Sequence, residues 1–208
     1  MTAKIQILQD KIIHSKSIVV LTGAGVSQES GISTFRGEDG LWNDFKPEEL
    51  ANYGSFIKSP KIVWDWYEWR KDIIMSAQPN ACHYGLSRIE SKKNILIISQ
   101  NVDGLHEEAG SKNLIELHGN IWETICIKCM DVQKEKSLHK DIPPDCSLCN
   151  GLLRPNVVWF DEIIPASKID NISEKINHCD LFLILGTSGL VQPASLFGVY
   201  AKQKNKYV

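Results

Sequence analysis

Ser17–Gly37 reads SIVVLTGAGVSQESGISTFRG: a short β-branched apolar run, a glycine turn, then a polar segment. The apolar run is continuous rather than alternating, the pattern of a strand buried on both faces of a parallel sheet. A glycine turn directly after such a strand is built for a phosphate or a ribose. The dehydrogenase fingerprint G-x-G-x-x-G is met only at Gly23 and Gly25, because Gln28 stands where the third glycine belongs and the next glycine is Gly31. No clear second strand ends in an acid about twenty residues on, so the usual ribose clamp is also missing. The turn points to a nucleotide handled by something other than ordinary hydride chemistry.

Working outward, NILIISQ, LIELHG, LRPNVVWF and DLFLILGTS repeat the strand pattern, with helical periodicity between them. The expected fold is α/β, a Rossmann-like doubly wound parallel sheet with ligands gathered at the C-terminal strand ends. The polar motifs GAGVS, QNVDGLH and GTS follow three of those runs. Two regions interrupt the alternation. Glu38–Pro79 is rich in Trp, Tyr and Phe and reads as a small helical insertion, and Cys126–Gly151 is polar and holds four of the six cysteines. The expected boundaries are 1–37, 80–122 and 152–208 for the Rossmann-like domain, 38–79 for the helical insertion and 123–151 for the cysteine module.

At 208 residues the chain supports one substantial core with a small inserted module. A formal net charge of −2 gives no basic footprint for nucleic acid, and the lysines of AKQKNKYV read as a solvated end. No apolar run approaches the roughly 18–20 residues that cross a bilayer. The first sixteen residues place Ile5, Leu8 and Ile12 at helical spacing among polar residues, an amphipathic helix and not a signal peptide. A cytoplasmic location is expected, where cysteines bind metal or do chemistry more often than they pair.

Cys126, Cys129, Cys146 and Cys149 form two C-x2-C pairs sixteen residues apart. Two such knuckles deliver four thiolates to one tetrahedral Zn²⁺; two disulfides or a redox pair are the competing readings. A four-thiolate site has no open position for water, so the zinc is expected to be structural, one per chain, holding a module too poor in apolar residues to fold alone. Cys82 and Cys179 are left over as buried free thiols.

His118, in LIELHGNIWETIC, follows an apolar strand at the face where a nucleotide is expected. A structural histidine and a general base with a pKa near neutrality both fit the residue alone; its position favours the base. Gln100, Asn101 and Asp103 follow the neighbouring strand and can orient a ligand amide or hydroxyl, whereas His106 reads as packing.

Taken in order, GAGVSQESGISTFRG, GLW, QNVDGLHEEAG, ELHGN, the two cysteine pairs, RPNVVWFDE and GTSGLVQPA closely resemble the sirtuins, NAD-dependent protein deacylases, from about Ser17 to Ala194. The resemblance implies a smaller zinc-ribbon plus helical domain beside the Rossmann-like one, with NAD as co-substrate and acylated-lysine protein substrates meeting in the cleft. By this similarity Gly23, Ala24 and Gly25 approach the pyrophosphate, Phe35 and Arg36 sit on a lid over the cofactor, Asn101 and Asp103 shape the nicotinamide pocket with Gln100 beside them, and Gly186, Thr187 and Ser188 take the adenosine side. The implied mechanism begins with attack of the acyl oxygen on the anomeric carbon as nicotinamide leaves. His118 then deprotonates a ribose hydroxyl, which attacks the resulting imidate, giving free lysine and O-acyl-ADP-ribose. Val157, Val158, Trp159 and Phe160 resemble the strand that receives the substrate peptide.

Tyr67 and Arg70 in VWDWYEWRKDII lie three apart and share a helix face. A phenol beside a guanidinium can hold a carboxylate, and a Tyr-x-x-Arg pair marks the class III branch that prefers succinyl, malonyl or glutaryl lysine. An aromatic core helix with Arg70 solvated is the other reading. A ring near Pro47, where that branch often has a small residue, narrows the acyl pocket and keeps deacetylation as the fallback. By the resemblance a further strand and a final helix would follow Val208, so weaker NAD binding and an uncovered sheet edge are expected of this chain. Mono-ADP-ribosyl transfer and a catalytically weak NAD- and zinc-binding module are the competing functions.

Overall fold

The computed structural model of the chain describes residues 3–35, 41 and 46–208. In chain order its elements are α1 (Ala3–His14), β1 (Ser17–Thr22), α2 (Pro47–Leu50), α3 (Tyr53–Lys58), α4 (Pro60–Met75), α5 (Ala81–Glu90), β2 (Asn94–Ser99), α6 (Leu105–Glu108), β3 (Leu114–Glu116), β4 (Gly119–Cys126), β5 (Val132–Lys134), β6 (Leu153–Val157), α7 (Ala166–His178), β7 (Leu181–Leu185) and α8 (Ala194–Gln203).

One sheet runs β3-β2-β1-β7, with every neighbouring pair parallel. Val19 and Leu21 of β1 pack with Ile172, Ile176, Phe182 and Phe197 on one face, while Ile18 and Val20 pack with Leu86, Ile95 and Ile97 on the other. Both faces are covered, which is why the strands read as unbroken apolar runs. The chain steps outward from β1 through β2 to β3 and then returns to β7 on the opposite side of β1. A crevice for ligand opens where the winding reverses.

At that reversal the ends of β1 and β7 interlock. Gly23 N–H donates to Leu185 O at 3.0 Å and Gly25 N–H to Gly186 O at 2.8 Å. A Cβ on Gly23 would lie 2.8 Å, and one on Gly25 2.9 Å, from the Gly186 carbonyl oxygen. These glycines are therefore required by the facing loop before any ligand arrives. Gly186 itself has φ 60 and a Cβ there would collide with Val26 N, whereas Gly31 has φ 87 with no atom within 4 Å of its Cβ position. Alanine at either site meets the left-handed backbone penalty of about 1–2 kcal/mol, and only Gly186→Ala adds the collision. Thermal melting should show Gly186→Ala as clearly the less stable variant; equal losses would mean that the two loops do not meet as described.

One expected strand changes sheet. LRPNV forms β6, which lies in the antiparallel sheet β5-β4-β6 and pairs with β4 alone. Pro155 has no N–H to donate, so its strand is confined to a sheet edge.

The helical insertion and the cysteine module share one core, in which Phe56, Val63 and Trp64 meet Trp122, Leu153, Cys126 and Cys146. The Trp64 indole N–H donates to Leu153 O at 3.0 Å. Lys71, its side chain 1% exposed, donates to Glu68 Oε1 at 3.0 Å, and Glu68 also accepts from His139 N at 2.9 Å and Nδ1 at 2.8 Å. A cation so buried persists only when paired, and this pairing ties α4 to the loop before Cys146. Cys82 and Cys179 are free thiols, half-buried and buried. Tyr207 makes a single parallel bridge to Leu181 on the free side of β7. Among the described residues no helix is long and apolar enough to cross a membrane.

Candidate active site and metal centre

The two cysteine knuckles have the same backbone. Met130 N–H donates to Cys126 O at 3.0 Å and Asn150 N–H to Cys146 O at 2.9 Å; Cys126 N–H and Cys146 N–H donate to Asp131 O and Gly151 O at 2.9 and 2.7 Å. Both knuckles close on a left-handed residue, Met130 at φ 62 and Asn150 at φ 53. All four sulfurs lie within 4.8 Å of one another, with Cys126–Cys149 at 3.5 Å and Cys129–Cys146 at 3.7 Å. A tetrahedral zinc about 2.3 Å from each thiolate spaces the sulfurs about 3.8 Å apart. The donor set and its spacing fit one closed Zn²⁺ site.

A separate cavity of about 620 Å³ opens at the β1–β7 reversal and runs between the parallel sheet and the small unit. Gly23, Ala24 and Gly25 line it from the end of β1, Gly186, Thr187 and Ser188 from the end of β7, and Gln100 and Asn101 from the end of β2. His118 stands between β3 and β4, Val157 to Phe160 border the cavity after β6, and Phe35, Tyr67 and Arg70 close the side toward the insertion. Arg36 and the side chain of Pro47 lie outside the described residues.

Gln100 joins three strand ends. Its Nε2 donates to Thr22 O at 3.2 Å and to Thr187 Oγ1 at 3.0 Å, and its main-chain carbonyl oxygen meets His118 Nδ1 at 3.0 Å. A carbonyl can only accept, so Nδ1 carries the imidazole proton and Nε2 is the basic nitrogen. Burial lowers the His118 pKa; the Gln100 bond opposes that shift and the charge of Lys168 adds to it. The imidazole is neutral at pH 7, as a general base must be.

Beneath Gly23 lies a polar network that begins with Asp103. Its Oδ2 accepts from Ser27 Oγ at 2.7 Å and its Oδ1 from Leu105 N–H at 2.9 Å. Asn101 Nδ2 donates to Ser27 Oγ at 3.0 Å and to Gly23 O at 3.2 Å. Asp103 is 6% exposed and stands behind the cavity wall, not on it, unlike Asn101. Ser27, 1% exposed, holds the two residues together and was not distinguishable from the other residues of GAGVS in the sequence. His106 is a packing residue: buried, paired to Thr22 Oγ1 at 3.0 Å, its pKa pushed down to about 3 by desolvation and then by His83.

Tyr67 and Arg70, 3% and 7% exposed, come to the wall together on α4. The Arg70 guanidinium lies 4.7 Å from the Phe35 ring centre and 5.0 Å from that of Trp66. Among the described residues no carboxylate forms an ion pair with it. Tyr67 Oη accepts from Trp159 Nε1 at 2.9 Å, and burial raises its pKa to about 12, so the phenol keeps its proton.

A doubly wound nucleotide-binding sheet, a four-cysteine module and a shared cleft with a neutral histidine define a narrow class of protein. The Sir2 family profile matches residues 23–193. An NAD-dependent protein deacylase 1 of Caldanaerobacter subterraneus subsp. tengcongensis is 49% identical over 206 residues, covering 98% of this chain and 85% of the relative. A solved Sir2 homologue mutant in complex with ADP-ribose superposes with a TM-score of 0.93 at 44% identity, covering 99% of this chain and 82% of that one. A Sir2–p53 peptide–NAD⁺ structure gives 0.87 at 31% identity, covering 99% and 84%. The chain belongs to the Sir2 family, the sirtuins.

Proposed function

We propose that the protein is an NAD-dependent protein-lysine deacylase that prefers acyl groups ending in a carboxylate: succinyl, malonyl or glutaryl. The deacylase reading is supported by the relatives and by a cavity that spans from the β1 and β7 loops past His118 to the strand after β6. NAD is held by the loops at Gly23–Gly25 and Gly186–Ser188, and the acyl-lysine lies toward Val157–Phe160. Asn101 positions the nicotinamide end; Asp103 acts through Ser27 and Asn101. The acyl oxygen displaces nicotinamide, and His118 Nε2 takes the ribose hydroxyl proton.

One observation carries the acyl preference: a buried guanidinium that forms no ion pair with a carboxylate among the described residues, the Asp103 charge acting on it only through space, beside a protonated phenol, both on the cavity wall. Two adjacent desolvated donors call for an anionic acceptor. The test is turnover of matched succinyl-lysine and acetyl-lysine peptides with NAD. Arg70→Met should lower succinyl kcat/KM by about 10- to 100-fold, the worth of a charge-assisted bond, and leave acetyl kcat/KM within about twofold. The stacking of Arg70 on Phe35 and Trp66 supports the second reading, plain deacetylation, in which the charge is held by aromatic faces. Equal losses on both peptides would select it.

A further inference from the structure

We infer that Trp159 sets the acyl preference as a positioning residue, by fixing the direction of the Tyr67 hydroxyl; the inference rests on the carboxylate clamp proposed above. The indole Nε1–H can only donate, so at 2.9 Å it takes a lone pair of Tyr67 Oη. The phenol must then use its own proton elsewhere. No described residue accepts it, and Tyr67 lines the cavity, so the O–H is left for a ligand oxygen beside Arg70. Without the indole the phenol could rotate and act as acceptor, which a carboxylate would repel.

The indole is itself held rigidly. Arg154 lies over it, its guanidinium carbon 3.5 Å from the Trp159 ring centre, and donates to Val157 O at 2.7 Å. Glu162 pairs with both terminal nitrogens of Arg154 and accepts from the Trp159 backbone N–H at 2.9 Å. Trp159, 2% exposed, is thus fixed from its backbone, its face and its indole nitrogen. Such burial suits a positioning group better than a side chain that meets a passing peptide. The chain Glu162–Arg154–Trp159–Tyr67 carries the geometry of the strand after β6 to the acyl end of the cavity.

The test is Trp159→Phe, which keeps one ring under Arg154 and removes the donor together with the second ring. Succinyl kcat/KM should fall about tenfold further than acetyl kcat/KM, through KM, as loss of one oriented hydrogen bond predicts. In a Tyr67→Phe background the same substitution should leave the succinyl-to-acetyl ratio unmoved, because there is no hydroxyl left to direct. If Trp159→Phe lowers both substrates equally, or still moves the ratio in the Tyr67→Phe background, Trp159 works by packing or by peptide contact and the inference is overturned. An unchanged succinyl-to-acetyl ratio overturns it as well. If Arg70→Met and Tyr67→Phe themselves leave the ratio unmoved, the clamp fails first and takes the inference with it; if they move it and Trp159→Phe does not, only the inference fails. Should Trp159→Phe not fold, the Trp159 indole N–H resonance in Tyr67→Phe decides: a shift supports the bond, and an unmoved resonance overturns it.

Discussion

His118→Ala is expected to lower formation of deacylated peptide by about 10²–10⁴-fold, the range for losing a positioned general base, while labelled nicotinamide still exchanges into NAD. The split follows from where the imidazole acts. Its Nδ1–H is held by Gln100 O at 3.0 Å, which leaves Nε2 free; in the proposed mechanism Nε2 accepts a proton from a ribose hydroxyl only after nicotinamide has departed. The departing step needs no base, so exchange persists. The pH profile tests the same assignment. Burial lowers the His118 pKa below the usual histidine value near 6.5. The working form is neutral, so wild-type kcat/KM should hold as pH falls to about 6.5 and decline only beneath it. Lys168 contributes to that lowering through its charge; in Lys168→Met the imidazolium is less disfavoured and the acid limb moves upward. Loss of exchange together with deacylation would place His118 in cofactor binding instead, and an acid limb that stays put in Lys168→Met would remove the electrostatic account.

The sequence revealed those parts of this site that depend on local pattern. Continuous apolar runs disclosed strands covered on both faces, and the motifs after them fell where β1, β2 and β7 end. The spacing of Cys126, Cys129, Cys146 and Cys149 was enough to bring four sulfurs together. What stayed hidden depends on partners far apart in the chain. Gly23 and Gly25 looked like concessions to a ligand, yet their missing side chains first make room for Gly186, a contact no local window displays. Asp103 matched a ligand-facing position, but Ser27 and the Leu105 amide occupy its carboxylate. Trp159 read as part of a peptide-receiving strand, and its bond to Tyr67 spans 92 positions. LRPNVVWF has strand propensity that fits either sheet; the missing N–H of Pro155 was the local sign that β6 belongs at an edge.

Stripping the metal from the four-cysteine site, or Cys146→Ser, is expected to unfold the small unit and to suppress turnover by at least about 10²-fold, the scale on which a 1 Å displacement of a catalytic site acts. The magnitudes leave little alternative. Zinc binding in small modules is worth about 10–16 kcal/mol, as large as the entire net stability of a domain, about 5–15 kcal/mol. Cys126 and Cys146, 0% and 1% exposed, also belong to the core that holds Phe56, Trp64 and Trp122. The effect reaches the chemistry through two strands. β4 runs from Gly119, next to His118, to Cys126, and β6 runs from Leu153, paired with Cys126, to Val157 at the cavity wall. Val158 N–H is held by His118 O at 2.8 Å, so slack at the knuckles arrives at His118 and at Val157–Phe160 together. Metal content, circular dichroism and turnover measured on the same sample decide the matter, with Cys82→Ser as a control that leaves all three unchanged. Turnover lost in step with metal, and regained when zinc is returned, fits a closed site that acts only by holding β4 and β6. Full turnover at zero metal would mean that the apolar core alone fixes those strands and that the four thiolates are not needed for the fold.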